Sequence, residues 1–243
     1  MKASCFAAAL MGLTMLLGAA DSDTAFKPVL SDKSIQFENK TLDLYEDGRV
    51  LCNSKEFGTL ITLNMYFFVR VNGKDDYNWR TQRFDKENST FTRNGNQYVW
   101  DLQYRGHDDA NIKLHQVLEV LPDGKVKFNG KYTFPSSAGE YEYHNIISFQ
   151  MKDTAWTKET VSMNGNPLVL DPSIQKTLSG TGNPVWTFGT TNPGKQFTLS
   201  TESSDIRFFM LHYRKFNSSY AIDFFPVKTK TDFTIYLDFS KGK

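Results

Sequence analysis

The sequence predicts an all-β protein, a large antiparallel β-sandwich of two sheets with at most one or two short helices. Three stretches predict it. In Asn111–Gln150 apolar and polar residues alternate with period two: Ile112, Leu114, Leu118 and Val120 share one side of a strand, and Val126, Phe128, Tyr132 and Phe134 then oppose Lys125, Lys127, Asn129 and Lys131. A strand needs such alternation when one face packs on a core and the other meets water. Between these strands Pro122-Asp123-Gly124 joins a preset φ to a residue that accepts positive φ, the chemistry of a tight reversal. At the carboxyl end the pattern returns, with Phe233, Ile235, Leu237 and Phe239 set against Thr234, Tyr236 and Asp238.

Residues 1–20 read as a secretory signal: Lys2 is its basic start, Phe6–Leu17 an apolar stretch too short to span a bilayer, and Gly18-Ala19-Ala20 a small-residue cleavage site. Residues 21–243 are expected to form a single β-sandwich domain, secreted or periplasmic. No membrane anchor is expected after signal cleavage, because no later apolar run approaches the ~18 residues that a span needs. Cys5 leaves with the signal, so Cys52 has no intramolecular partner and the core alone must hold the fold. A net charge of +1 with 23% charged residues excludes nucleic acid as an evident partner. Aromatic side chains make up 14%, and the 20 phenylalanines fall mostly at alternating strand positions, where they serve a bulky core.

Short strands are expected at Ser34–Phe37 and Leu42–Tyr45, with Glu46-Asp47-Gly48-Arg49 turning into Val50–Cys52. Leu60–Val71 is the longest strand: Ile61, Leu63, Met65, Phe67, Val69 and Val71 make one apolar face, and Thr62, Asn64 and Arg70 share the other with Leu60, Tyr66 and Phe68. That composition fits a central strand covered on both faces, or one whose outer face is an aromatic binding floor. Asn72–Asp76 reads as a turn, and Trp79–Phe84, Ser89–Arg93 and Gln97–Arg105 as strands, the last two joined by Asn94-Gly95-Asn96. Tyr141–Phe149 follows as a strand, then Thr160–Met163 and Leu168–Leu170 as a hairpin. Asp171-Pro172 offers a capping oxygen followed by proline, a helix start that Gly180 would close. Loops rich in Gly, Thr, Asn and Pro are expected at Ser179–Pro184 and Gly189–Gly194, and strands at Gln196–Thr201, Ile206–Arg214, Tyr220–Phe225 and Phe233–Phe239.

Catalytic signatures are absent from the sequence: it has no Gly-x-Ser-x-Gly elbow, no His-Glu-x-x-His and no cysteine pair for zinc, so no catalytic residue, cofactor or metal is assigned. Glu140, Glu142 and His144 stand two apart on a strand and so share a face. Two carboxylates and an imidazole in a row can hold sugar hydroxyls, or supply acid and base to a glycosidic centre; a solvated strand face has the same composition. Asp101, Gln103, Arg105, His107 and Asp108 form a second fan of hydrogen-bonding groups, running off a strand into a loop. Trp79, Trp156 and Trp186 lie near segment ends, where an indole face could stack on a pyranose ring, whereas Trp100 alternates with Tyr98 and Leu102 as a core residue would.

The LYEDGRV turn at Leu44–Val50, the LPDGKVKFNGKYTF strand pair and the terminal pattern SSDIRFFM...YAIDFFPVKTKTDFTIYLDFS resemble the β-supersandwich of galactose-mutarotase-like domains and the accessory sandwiches of secreted bacterial glycosidases. The resemblance implies a surface suited to carbohydrate, as a binding module or as a sandwich whose partner supplies the chemistry. The expected function is therefore non-catalytic binding of an oligo- or polysaccharide through Trp79, Arg105, His107, Glu140, Glu142, His144, Trp156 and Trp186. The alternative is a glycan-active enzyme of the glycoside hydrolase, polysaccharide lyase or aldose epimerase type, using Glu140, Glu142 and His144.

Overall fold

The computed structural model describes residues 27–71, 74–76, 83–106, 111–135, 141–172, 178–202, 206–213, 219–226 and 231–240. From the amino end run β1 (Val29–Leu30), β2 (Ser34–Gln36), β3 (Lys40–Leu44), β4 (Val50–Ser54), β5 (Gly58–Val71) and β6 (Lys74–Asp76). The middle of the chain supplies β7 (Arg83–Phe84), β8 (Thr90–Asn94), β9 (Gln97–Arg105), β10 (Asn111–Val120), β11 (Val126–Thr133) and β12 (Tyr141–Lys152). After helix α1 (Asp153–Trp156) come β13 (Thr160–Met163), β14 (Asn166–Val169), β15 (Leu178–Thr181) and β16 (Val185–Phe188). The last strands are β17 (Phe197–Thr201), β18 (Ile206–Tyr213), β19 (Ser219–Pro226) and β20 (Asp232–Asp238).

These strands form the predicted sandwich of two antiparallel sheets. The first has the order β1-β2-β3-β4-β5-β12-β19-β18-β15 with β6 beside β5, and the second the order β14-β13-β16-β17-β20-β11-β10-β9-β7 with β8 beside β9. The chain passes between sheets repeatedly, so both contribute to one buried cluster: Leu63, Phe149, Ile222 and Phe224 from the first meet Trp100, Leu114, Phe128 and Ile235 from the second. Burying each such side chain contributes about 1.5–3 kcal/mol.

Three polar tips in this interior are tied to backbone. Trp100 Nε1 donates to the Tyr45 carbonyl at 2.8 Å, Tyr98 Oη to that of Ser31 at 2.6 Å, and the buried Gln116 Nε2 to that of Gly48 at 3.0 Å. All three bonds run from the second sheet to turns of the first, so hydrogen bonds as well as oil hold the layers in register. Gly48, at φ +87°, lies so close to the second sheet that a Cβ there would sit 2.7 Å from Leu102. The Cys52 thiol is buried and pushed up to about 12 by desolvation, which leaves it inert.

Three expectations are corrected. Leu178–Thr181 is strand β15 at an edge of the first sheet, so Gly180 does not close a helix; residues 173–177 lie outside the described residues. Glycine stands there because the Phe208 ring on β18 covers it, and a Cβ would meet that ring at 2.5 Å. Lys74–Asp76, read as part of a turn, is β6 and pairs with β5. Val185–Phe188, between two expected loops, is β16, four residues long and too short for period two to register.

Candidate functional site

Strands β5, β12 and β19 are neighbours in the first sheet. Along each, one residue set enters the core and the alternate set points away from it. Leu63, Phe149 and Ile222 go inward, so Asn64, Ser148 and Asp223 go outward. Pairing of Asn64 with Ser148, Ser148 with Asp223, and Asp223 with Phe209 on β18 sets these four side chains in one row across four strands.

An outward row on a sandwich usually meets water. Here Asn64, Ser148 and Asp223 are only 7%, 2% and 4% exposed, and the adjacent Ile146 is buried although it stands outside the core cluster. Ser148 Oγ donates to Asp223 Oδ1 at 2.5 Å, Asn64 Nδ2 reaches Gln150 Oε1 at 3.5 Å, and Gln150 Nε2 donates to Tyr66 Oη at 2.8 Å. Tyr66 is opposite Ile146 and Gln150 opposite Thr62, so the pair Asn64–Ser148 lies between them along the ladder. The Tyr66–Gln150 hydrogen bond therefore bridges over that row. Burial pushes the Tyr66 hydroxyl up to about 12, with the Asp223 charge adding to the rise and Gln150, Asn64 and Arg49 opposing it.

Beside the polar row stands an aromatic pair. Phe209 and Phe225, on the same outward face, meet edge to face with centroids 5.2 Å apart, and both are half-buried. The site thus has a floor of Asn64, Ser148 and Asp223 and a rim of Tyr66, Gln150, Phe209 and Phe225. Chemically it offers an anionic acceptor, amide and hydroxyl groups of both hydrogen-bonding senses, and apolar ring surface.

The residues expected from sequence distribute unevenly around it. His144 is half-buried and shares the outward face of β12 with Ile146, Ser148 and Gln150; the backbone of Glu142 continues that row opposite Arg70. Arg105 is in the other sheet, at the end of β9, where its Nε lies 3.7 Å from Asp85, so it does not join them. Its neighbour in the expected fan, Asp101, binds His115 Nδ1 at 2.7 Å on an exposed surface. Trp79, His107 and Glu140 lie outside the described residues, as do residues 1–20.

Trp156 and Trp186 do not serve as surface platforms, because both are fully buried. Helix α1 follows β12 directly and carries Trp156 into the core, where its Nε1 donates to the Leu60 carbonyl at 2.7 Å and its ring meets Phe188 and Phe197 edge-on. Lys195, also buried, holds this helix by donating at 2.6 Å to both the Ala155 carbonyl and Glu159. Trp186 alternates inward along β16 and meets Phe208 edge-on at 5.7 Å.

The floor was missed in the sequence, although Asp223 leaves a signal: it is the one charge within the otherwise apolar run Tyr220–Phe225. Among the described residues no three His, Cys, Asp or Glu side chains converge as a metal site, and no helix is long and apolar enough to cross a membrane. No protein-family profile matches the chain, and a comparison with curated proteins finds no match. Among solved structures the chain is similar to the 4-alpha-glucanotransferase from Thermococcus litoralis, with a TM-score of 0.45 and 10% identity over 87% of this chain and 40% of that one, so it spans less than half of that enzyme's length.

Proposed function

We propose that this is an exported, non-catalytic carbohydrate-binding β-sandwich, and that an oligo- or polysaccharide seats on the outward face of β5, β12, β19 and β18. The observation that carries the reading is the row Asn64–Ser148–Asp223 sheltered on a sheet face beside the Phe209–Phe225 pair. A sugar presents hydroxyls that both donate and accept, together with apolar ring faces. Amide, hydroxyl and carboxylate groups held in place by one another answer the first, and half-buried aromatic rings the second. His144 extends the same face and would lengthen the track for a polymer.

A glycan array with the full chain, followed by calorimetry on the strongest ligand, tests this. Tyr66→Phe, Gln150→Ala and Phe225→Ala, all at the rim, are each expected to weaken binding about tenfold, the worth of one contact to ligand. His115→Ala and Lys131→Ala, on the opposite sheet, should leave it unchanged. Wild-type affinity in all three first-sheet variants, with folding verified by thermal melts, would remove the site.

A further inference from the structure

We infer that an edge between the two layers carries a second binding site, for a ligand with a single carboxylate on a six-membered ring. Three turns meet there, each closed by its own hydrogen bonds. Lys33 stands in the turn between β1 and β2, where Ser34 N donates to Ser31 Oγ at 3.0 Å. Glu46 stands in the turn between β3 and β4, which Gly48 N closes on the Tyr45 carbonyl at 3.0 Å. Lys86 stands between β7 and β8, in a turn where Asn88 Nδ2 donates to Asp85 Oδ2 at 3.0 Å and Ser89 Oγ to the Asp85 carbonyl at 2.6 Å. The three charged groups converge: Lys33 Nζ lies 3.0 Å from Glu46 Oε1, and Lys86 Nζ 3.1 Å from Glu46 Oε2. They line a cleft of about 200 Å³ that the half-buried rings of Phe84 and Phe91 also wall.

Two cations share one anion here, so the lining keeps a positive charge. Hydrogen bonds from Lys33 and Lys86 hold the Glu46 carboxyl below the usual carboxylate range. Among the described residues neither lysine has another partner, both are largely exposed, and each ammonium keeps two further N–H donors. The nearby carboxylates do not supply the missing anion: Asp32 lies 3.6 Å from Arg93, Asp47 2.7 Å from Arg49 and Asp85 3.7 Å from Arg105, while Glu87 does not line the cleft. A ligand carboxylate between Lys33 and Lys86 would accept from both and bring the lining to neutrality, whereas a dianion such as sulfate would overshoot it. The walls set the body of the ligand. Phe91 stacks on Trp100 at 4.6 Å and Phe84 tilts against Tyr104 at 5.9 Å, so both rings are braced and offer apolar surface to the cleft. A cavity of ~150 Å³ admits benzene, so this volume takes one such ring.

Two sources supply this chemistry, the uronate residue of a glycan and an aromatic acid. The probes separate them: methyl β-glucuronide and benzoate, with methyl β-glucoside and inorganic sulfate as controls. Two-dimensional amide NMR of the full chain is expected to show saturable shifts at Lys33, Glu46, Lys86 and Phe91 with at least one of the carboxylates, and none there with the glucoside. The tighter carboxylate names the source. Lys33→Met and Lys86→Met should each weaken that binding about fivefold, the upper worth of one exposed ion pair. Rising salt should weaken it as well, because both ammoniums face water. Shifts with neither carboxylate, equal binding of the glucoside, sulfate binding more tightly than both carboxylates, or unchanged affinity in both lysine variants overturns the inference. Oligosaccharide binding at the first sheet can succeed or fail without altering any of these readings.

Discussion

The outward faces of the two sheets have the same origin in period-two alternation, and they end in different states. On the second sheet Lys113, His115 and Lys131 are exposed, and Thr234 Oγ1 donates to Asn129 at 2.9 Å beside a depression of about 250 Å³ that His115, Lys131 and Asp232 also line. Long charged groups keep that face wet and discourage sheet stacking. On the first sheet the corresponding positions carry Asn64, Ile146, Ser148 and Asp223, all nearly inaccessible. Short polar groups on central strands are roofed by longer neighbours, as Tyr66 and Gln150 roof Asn64 and Ser148 here. The lesson is that an outward polar residue is a surface residue only when its neighbours let water in.

Placing a charge on each face separates them most sharply. Ile146→Lys is expected to cost about 2–5 kcal/mol, since it removes buried apolar volume and forces an ammonium into a sheltered position. Val117→Lys, half-buried on the second sheet's outward face, should cost less than about 1 kcal/mol. Urea denaturation of the two variants measures the difference, and equal losses would dissolve the distinction between the faces.

Removing a carboxylate gives a smaller contrast. Asp223→Ala leaves the Ser148 hydroxyl buried without its acceptor and is expected to destabilise by about 1–3 kcal/mol. Asp101→Ala breaks an exposed contact with His115 and should stay within about 0.5 kcal/mol in the same assay.

The finest comparison uses two tyrosines with similar acidity and different causes. Tyr66 is raised to about 12 chiefly by burial, and Tyr236, on the second sheet, to about 12 chiefly by its hydrogen bond to Glu202. Glu202→Gln should return Tyr236 toward the ordinary value of 10 in an ultraviolet titration and leave Tyr66 untouched. For Tyr66 the folded chain retains a proton that the unfolded chain releases near 10, so its contribution to stability is intact below about pH 10 and is lost as pH rises toward 12. Denaturation between pH 9 and 12 should therefore show a shallower decline for Tyr66→Phe than for the wild type.

Much of the architecture was legible along the chain. The Gln97–Arg105 and Thr160–Met163 strands fall where alternation put them, and Leu60–Val71 is indeed the central strand with both faces engaged. Short elements were not legible: four residues such as Val185–Phe188 contain too few alternations to tell a strand from a loop. The candidate site was half legible. His144 was placed on its face by simple spacing, but Trp156 and Trp186 were misjudged, because nearness to a segment end says nothing of which side of the sheet an indole takes.

By itself, then, the order of residues determined which side chains alternate, and with that the strands, their turns and the need for two stacked layers, since these depend on interactions a few residues apart. Only the tertiary structure decided which strands became neighbours. Ser148 and Asp223 are 75 residues apart in the chain, and Asn64 and Gln150 are 86 apart. Their meeting depends on strand order and register, which are set by the packing of the whole core and by no local pattern.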